Sequence, residues 1–186
     1  MTGDAAATEA RPRVLVVAES MFGNTASIAA AVAQGLAEET YVELTTPVDP
    51  PREDVDLLVV GAPTHAFSMP RPVTREEARR QGAIGVTVAR GVREWIEDIP
   101  TQPHHPRIVT FDTRVMRTRR LPGSAARAAA RDLRAKGYSP LAASTSFFVD
   151  DVRGPLADGE LDRARAWGER LGSVLTAVTA SPATGR

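Results

Sequence analysis

The sequence predicts an α/β fold: a doubly wound parallel sheet of five strands in the order 2-1-3-4-5, with helices on both faces. Three observations predict it. Residues 14–18 (Val-Leu-Val-Val-Ala) and 57–61 (Leu-Leu-Val-Val-Gly) are continuous apolar runs, as central parallel strands buried on both faces require. Segments with helical apolar spacing alternate with such strands, the pattern of right-handed strand–helix–strand crossovers. Polar turns follow the carboxyl ends of the first and third strands, where this strand order reverses its winding and leaves a crevice.

Each element follows in order. After the first strand, Ile28, Val32 and Leu36, with Ala29 and Ala33, give the first helix an apolar face. Residues 41–45 alternate as a short second strand, and acidic Glu53, Asp54 and Asp56 lead into the third. Val88, Val92, Trp95, Ile96 and Ile99 recur at helical spacing. Residues 107–112 form the fourth strand, and 124–136 a helix that Gly137 ends as a left-handed cap. Residues 139–149 read as one last strand. The final helix is expected over 158–178 with Asp158 as its N-cap. Between the third strand and its helix, residues 69–85 exceed what a connection needs, and such excursions tend to be lids or binding loops. In this charged stretch Thr74 is expected to cap a short helix. The domain is therefore expected over 13–178, with flexible tails at 1–12 and 179–186.

Composition narrows the function classes. At 186 residues the chain suits one well-buried domain. Lys and Arg total 23 against 23 Asp and Glu, so no general attraction to nucleic acid or to an anionic membrane follows. Absence of cysteine removes disulfides, thiolate metal sites and cysteine nucleophiles. No stretch is apolar enough to span a bilayer, and the first dozen residues lack the apolar core of a signal peptide, so a cytoplasmic protein is expected. His104 and His105, with no carboxylate nearby, read as loop and not as metal ligands.

The chemistry concentrates at Ser20-Met21-Phe22-Gly23-Asn24-Thr25. A strand, a tight polar turn and a helix N-terminus make an anion site from unpaired backbone N–H groups and the helix dipole. The turn contains hydroxyls and an amide but no lysine or arginine. It lacks the Gly-Lys-Ser/Thr ending of a nucleoside-triphosphate loop and the glycines of a dinucleotide fingerprint. Neutral donors suit a phosphomonoester. An ordinary strand–helix turn with Thr25 as N-cap satisfies the same physics.

This turn resembles the phosphate loop of the flavodoxin family, Thr/Ser-x-Thr/x-Gly-Asn-Thr, whose ligand is flavin mononucleotide (FMN). The resemblance implies that Ser20, Met21, Phe22, Gly23, Asn24 and Thr25 hold the phosphate. The loop after the third strand, from Pro63-Thr64-His65-Ala66-Phe67 onward, resembles the flavin loop of flavodoxin-like quinone reductases. By that resemblance Pro63, Thr64, His65, Ala66 and Phe67 present backbone N–H groups to the ring, and His65 or Phe67 covers a ring face. Residues Asp112, Thr113 and Arg114 are the ring contacts implied after the fourth strand. There the chain departs from the family: the usual stacking tyrosine and acidic residues are missing, and arginines 114, 117, 119 and 120 stand instead. A guanidinium can stack on a ring, so Arg114 is the candidate replacement. The segment 154–161 also resembles its counterpart in bacterial members.

The expected function is FMN-dependent electron transfer, with a redox partner protein or a small electron donor or acceptor. Two alternatives stand beside it. One is an FMN-dependent oxidoreductase acting on a quinone-like or porphyrin-like substrate. The other is a binding module that keeps the fold without the flavin. A cationic rim favours an anionic substrate, an acidic partner or a cofactor with extra negative charge.

Overall fold

The computed structural model describes residues 11–52, 54–100 and 106–180. The expected tail 1–12 lies almost wholly outside these residues, as do His104, His105 and 181–186.

Strand β1 (Arg13–Ala18) is central. It pairs in parallel with β2 (Tyr41–Thr45) on one side and with β3 (Leu57–Pro63) on the other. β3 pairs in parallel with β4 (Arg107–Val115), giving the order 2-1-3-4-5. The fifth position is shared. β5 (Ser139–Pro140) pairs with the start of β4, and β6 (Thr145–Val149) with its end. The expected single strand is thus interrupted between Pro140 and Thr145, just after Leu141 N donates to the Ile108 carbonyl at 2.9 Å.

Alternation along β1 explains both layers. Val14 and Val16 pack against α1 (Asn24–Leu36) and α5 (Glu160–Ala180), whereas Leu15 and Val17 pack against α3 (Val92–Asp98) and α4 (Ala125–Ala135). β3 repeats the division, Leu57 and Val59 against Leu58 and Val60. Trp167 of α5 meets Phe111 and Phe147 edge-on, with centroids 6.2 and 5.8 Å away. Helices α1 and α5 approach so closely that a Cβ on Gly168 would stand 2.2 Å from the Val32 carbonyl oxygen. Ser124 caps α4, its Oγ accepting from Arg127 N at 3.1 Å, and Gly137 follows with φ 96°.

The long segment after β3 contains the helix α2 (Pro72–Arg80). It starts earlier than expected. Pro72 opens the first turn, and Thr74 sits within that turn, its Oγ1 accepting from Arg71 N at 2.9 Å. α5 begins at Glu160, not at 158–159, and continues to Ala180. Among the described residues no helix is long and apolar enough to cross a membrane.

Candidate functional site

The carboxyl ends of β1, β3 and β4 open onto one cleft of about 200 Å3. The sheet order dictates this, because crossovers leave β1 and β3 in opposite directions and part above the strand ends. Most residues singled out from the sequence line the cleft: Ser20, Met21, Phe22, Asn24 and Thr25; Pro63, Thr64, His65 and Ala66; Thr113 and Arg114. Gly23, Phe67 and Asp112 do not.

The turn after β1 is built to leave donors free. Gly23 precedes α1 with φ 87°, a conformation that favours glycine, and open space surrounds its Cα. No acceptor among the described residues takes a hydrogen bond from the backbone N–H groups of residues 20–26. Ser27 N is the first to be paired, to the Gly23 carbonyl at 2.9 Å. The Ser20 hydroxyl is buried with no partner. An unpartnered buried hydroxyl costs about 1–3 kcal/mol, so its presence points to a ligand that accepts from it.

The side chains of Asn24 and Thr25 have other duties. Asn24 Nδ2 donates to the Arg153 carbonyl at 3.1 Å, and a Cβ on Gly154 would meet Asn24 Oδ1 at 2.7 Å. Asn24 therefore fastens the loop after β6. Thr25 Oγ1 lies 2.7 Å from Thr113 Oγ1, tying α1 to β4 in the buried floor. Its caps are not the expected ones: Thr25 follows the N-cap position, which Gly23 occupies.

Asp112 is fully buried below the cleft. Its Oδ2 accepts from Thr64 Oγ1 at 2.9 Å and from Ala126 N at 3.2 Å, while Oδ1 is unpartnered. Thr64 Oγ1 in turn accepts from Ala125 N at 2.9 Å. Asp112 thus joins the loop after β3 to the start of α4, where a carboxylate also complements the helix dipole. Arg114 is buried, its Nη2 donating to the carbonyls of Thr118 and Leu121 at 2.6 and 3.2 Å. Those bonds fix the guanidinium along the loop wall, and its Nε is left without a partner.

His65 and Ser68 exchange two backbone hydrogen bonds of 3.0 Å around Ala66 and Phe67, which both have positive φ, 45° and 62°. This is a tight hairpin turn whose central positions favour glycine or asparagine. Phe67 stands 53% exposed at its tip and is not among the residues that line the cleft. Burial pushes the His65 pKa below its ordinary value, against a smaller opposing pull from Glu77.

Residues missed from the sequence come from the loop after β6. Val149 and Val152 line the cleft, with Val115 of β4, and the Arg153 guanidinium lies 5.9 Å from the Phe22 ring centroid. The one signal was positional: a Gly-Pro turn at another strand's carboxyl end. A second cavity of about 410 Å3 adjoins the first, sharing His65 and Val152 and adding Thr74, Glu77, Ala78, Gln81, Asp151 and Arg153.

Beneath the turn, polarity is handled in the opposite way. Arg75 of α2 is completely buried, its Nε 2.7 Å from Glu19 Oε1 and its Nη2 2.7 Å from Glu94 Oε2. It also donates to the carbonyls of Val88 and Pro70, both at 3.2 Å. Val92 N donates to Glu19 Oε2 at 2.9 Å, and a Cβ on Gly91 would stand 2.3 Å from Arg75 Nη2. Burial alone would lower the Arg75 pKa; hydrogen bonds and charge from Glu94 and Glu19 outweigh it and raise the pKa.

Among solved structures, flavodoxin 2 from Bacillus cereus shares 15% identity at a TM-score of 0.61, covering 87% of this chain and 98% of its own. A short-chain flavodoxin associated with a PDU bacterial microcompartment gives 17% and 0.60 over 91% and 99%. The flavodoxin of Streptococcus pneumoniae TIGR4 gives 16% and 0.59 over 87% and 98%. No protein-family model matches the chain, and no curated protein matches it in sequence. The fold is flavodoxin-like.

Proposed function

We propose that the chain binds FMN and transfers electrons through it. The observation that carries this reading is the row of unbonded N–H groups at residues 20–26, with the orphaned Ser20 hydroxyl beside them. Such a site suits a dianionic monoester, because several charge-assisted bonds from neutral donors cost no buried countercharge. The solved flavodoxins of like fold agree with that ligand class.

In this reading residues 20–25 hold the phosphate, chiefly through main chain and Ser20. Pro63, Thr64, His65 and Ala66 flank the ring on one side, and Thr113 and Arg114 on the other. Asp112 and Thr64 set the position of the ring loop, and Val115, Val149 and Val152 exclude water. The Arg114 guanidinium holds a positive charge at the cleft wall, with its Nε–H left to donate. Bound flavin supplies the one- and two-electron chemistry.

The test is titration of FMN and riboflavin by quenching of flavin fluorescence. FMN is expected to bind far more tightly, and equal affinity for the two removes the phosphate assignment. One observation favours a second reading, catalysis on a small quinone-like or porphyrin-like substrate: the larger cavity beside the cleft. Turnover of such a substrate by the reduced protein, without a further protein, would select it.

A further inference from the structure

The mouth of the cleft is asymmetric in charge. On the α2 side Arg79 and Arg80 are paired with Glu76. On the β4–α4 side, residues 113–131 contain Arg114, Arg117, Arg119, Arg120, Arg127 and Arg131 and no Asp or Glu. Arg114 is buried, Arg117 pairs with Asp151 and Arg131 with Asp132. Arg119, Arg120 and Arg127 are exposed and form no ion pair with any described residue. Unpaired arginines cost little in water and keep their full charge for an incoming surface.

Apolar groups lie among them. Phe67 is held outward by a turn that places two non-glycine residues at positive φ, a strain of about 1–3 kcal/mol per residue that the loop has to absorb. A Cβ on Gly123 would stand 2.5 Å from the Phe67 carbonyl oxygen, so the turn sits directly against the arginine-rich loop. Leu121, two residues before Gly123, is 46% exposed. An exposed aromatic packed against this loop, with an exposed leucine and unpaired arginines on the loop and the helix it leads into, is the residue mix of a protein interface.

We propose that this face, built from the turn at residues 65–68 and the loop at 117–127, docks an acidic protein beside the cleft. Phe67 and Leu121 enter an apolar spot on the partner, and Arg119, Arg120 and Arg127 meet its carboxylates. The partner's role as electron donor or acceptor rests on the FMN reading; the docking itself does not.

The experiment titrates the full chain, with and without FMN, against two proteins of opposite charge. One is a plant-type [2Fe–2S] ferredoxin, an acidic one-electron protein, and the other is cytochrome c, a basic one. Binding is followed by fluorescence anisotropy at low and at physiological salt, with labelled poly-L-glutamate as a charge-only probe. The acidic protein is expected to bind in a salt-sensitive manner, with cytochrome c not binding. The double change Arg119→Glu and Arg120→Glu is expected to weaken binding about tenfold or more, with FMN affinity and thermal midpoint unchanged. Phe67→Ser is expected to weaken ferredoxin roughly fivefold and poly-L-glutamate hardly at all. Failure of the ferredoxin to bind at low salt, preference for cytochrome c, or indifference to the double charge reversal overturns the proposal. So does a Phe67→Ser variant that binds ferredoxin and poly-L-glutamate as the parent does, since the face is then only a polyanion surface. Docking without any FMN quenching removes the electron-transfer reading and leaves the surface standing; quenching without docking does the reverse.

Discussion

Glu19 and Ser20 are neighbours in the chain and both are largely buried, yet their surroundings are opposite. Both Glu19 oxygens are engaged, one by the Arg75 guanidinium and the other by Val92 N. The Ser20 hydroxyl has no partner, and the backbone N–H groups of residues 20–26 donate to no described residue. The formal charge buried at Glu19 is met by Arg75 and ties α2, β1 and the start of α3 together. At the turn after β1 the polar capacity left open is neutral. An open site made of charged groups would carry a large desolvation penalty in the empty protein, whereas open amides and a hydroxyl cost far less. The knot below also anchors α2, whose Thr74, Glu77 and Ala78 line the second cavity together with Gln81.

The largest way to break the contrast is to unbalance the knot. Arg75→Met is expected to destabilise the protein by about 3–5 kcal/mol, because Glu19 and Glu94 lose their buried countercharge. Urea denaturation measures this, and adding Glu19→Gln to Arg75→Met is expected to recover part of the loss. A double variant no better than the single one contradicts the charge argument.

A smaller effect sharpens the boundary between the two regions. His65 lines both cavities and burial holds its pKa below 6.5. The unfolded chain therefore binds the proton more readily than the folded one. Stability is full above about 6.5 and falls as pH drops below it, by at most about 1.4 kcal/mol per pH unit for one proton. His65→Gln is expected to flatten that part of the stability profile; an unchanged slope assigns the titration elsewhere.

The sheet was legible because apolar runs buried on both faces leave few other solutions, and the open turn at residues 20–25 because its position after β1 is as informative as its residues. Three things were hidden. The last strand lapses between Pro140 and Thr145, a break that the residue pattern of 139–149 does not mark. Arg75 looked like one charge in a surface segment, since nothing in the neighbouring sequence shows that Glu19 and Glu94 converge on it from far away. Asn24 and Asp112 also brace loops, the amide of one and the carboxylate of the other, and only tertiary geometry shows that use. The cleft wall from Val149 to Val152 was missed because the strand order places the fifth strand away from the winding reversal, although its loop folds back to Asn24.

The central claim, that Ser20 and its neighbouring amides are held open for a phosphate, is tested most directly by Ser20→Ala with two readouts. Removing a buried hydroxyl that has no partner is expected to leave the flavin-free protein as stable as before, or more stable by up to about 1 kcal/mol. The same change is expected to weaken FMN by about 1.5–3 kcal/mol, roughly ten- to a hundredfold, and riboflavin hardly at all. Loss of stability with FMN affinity intact would contradict the account.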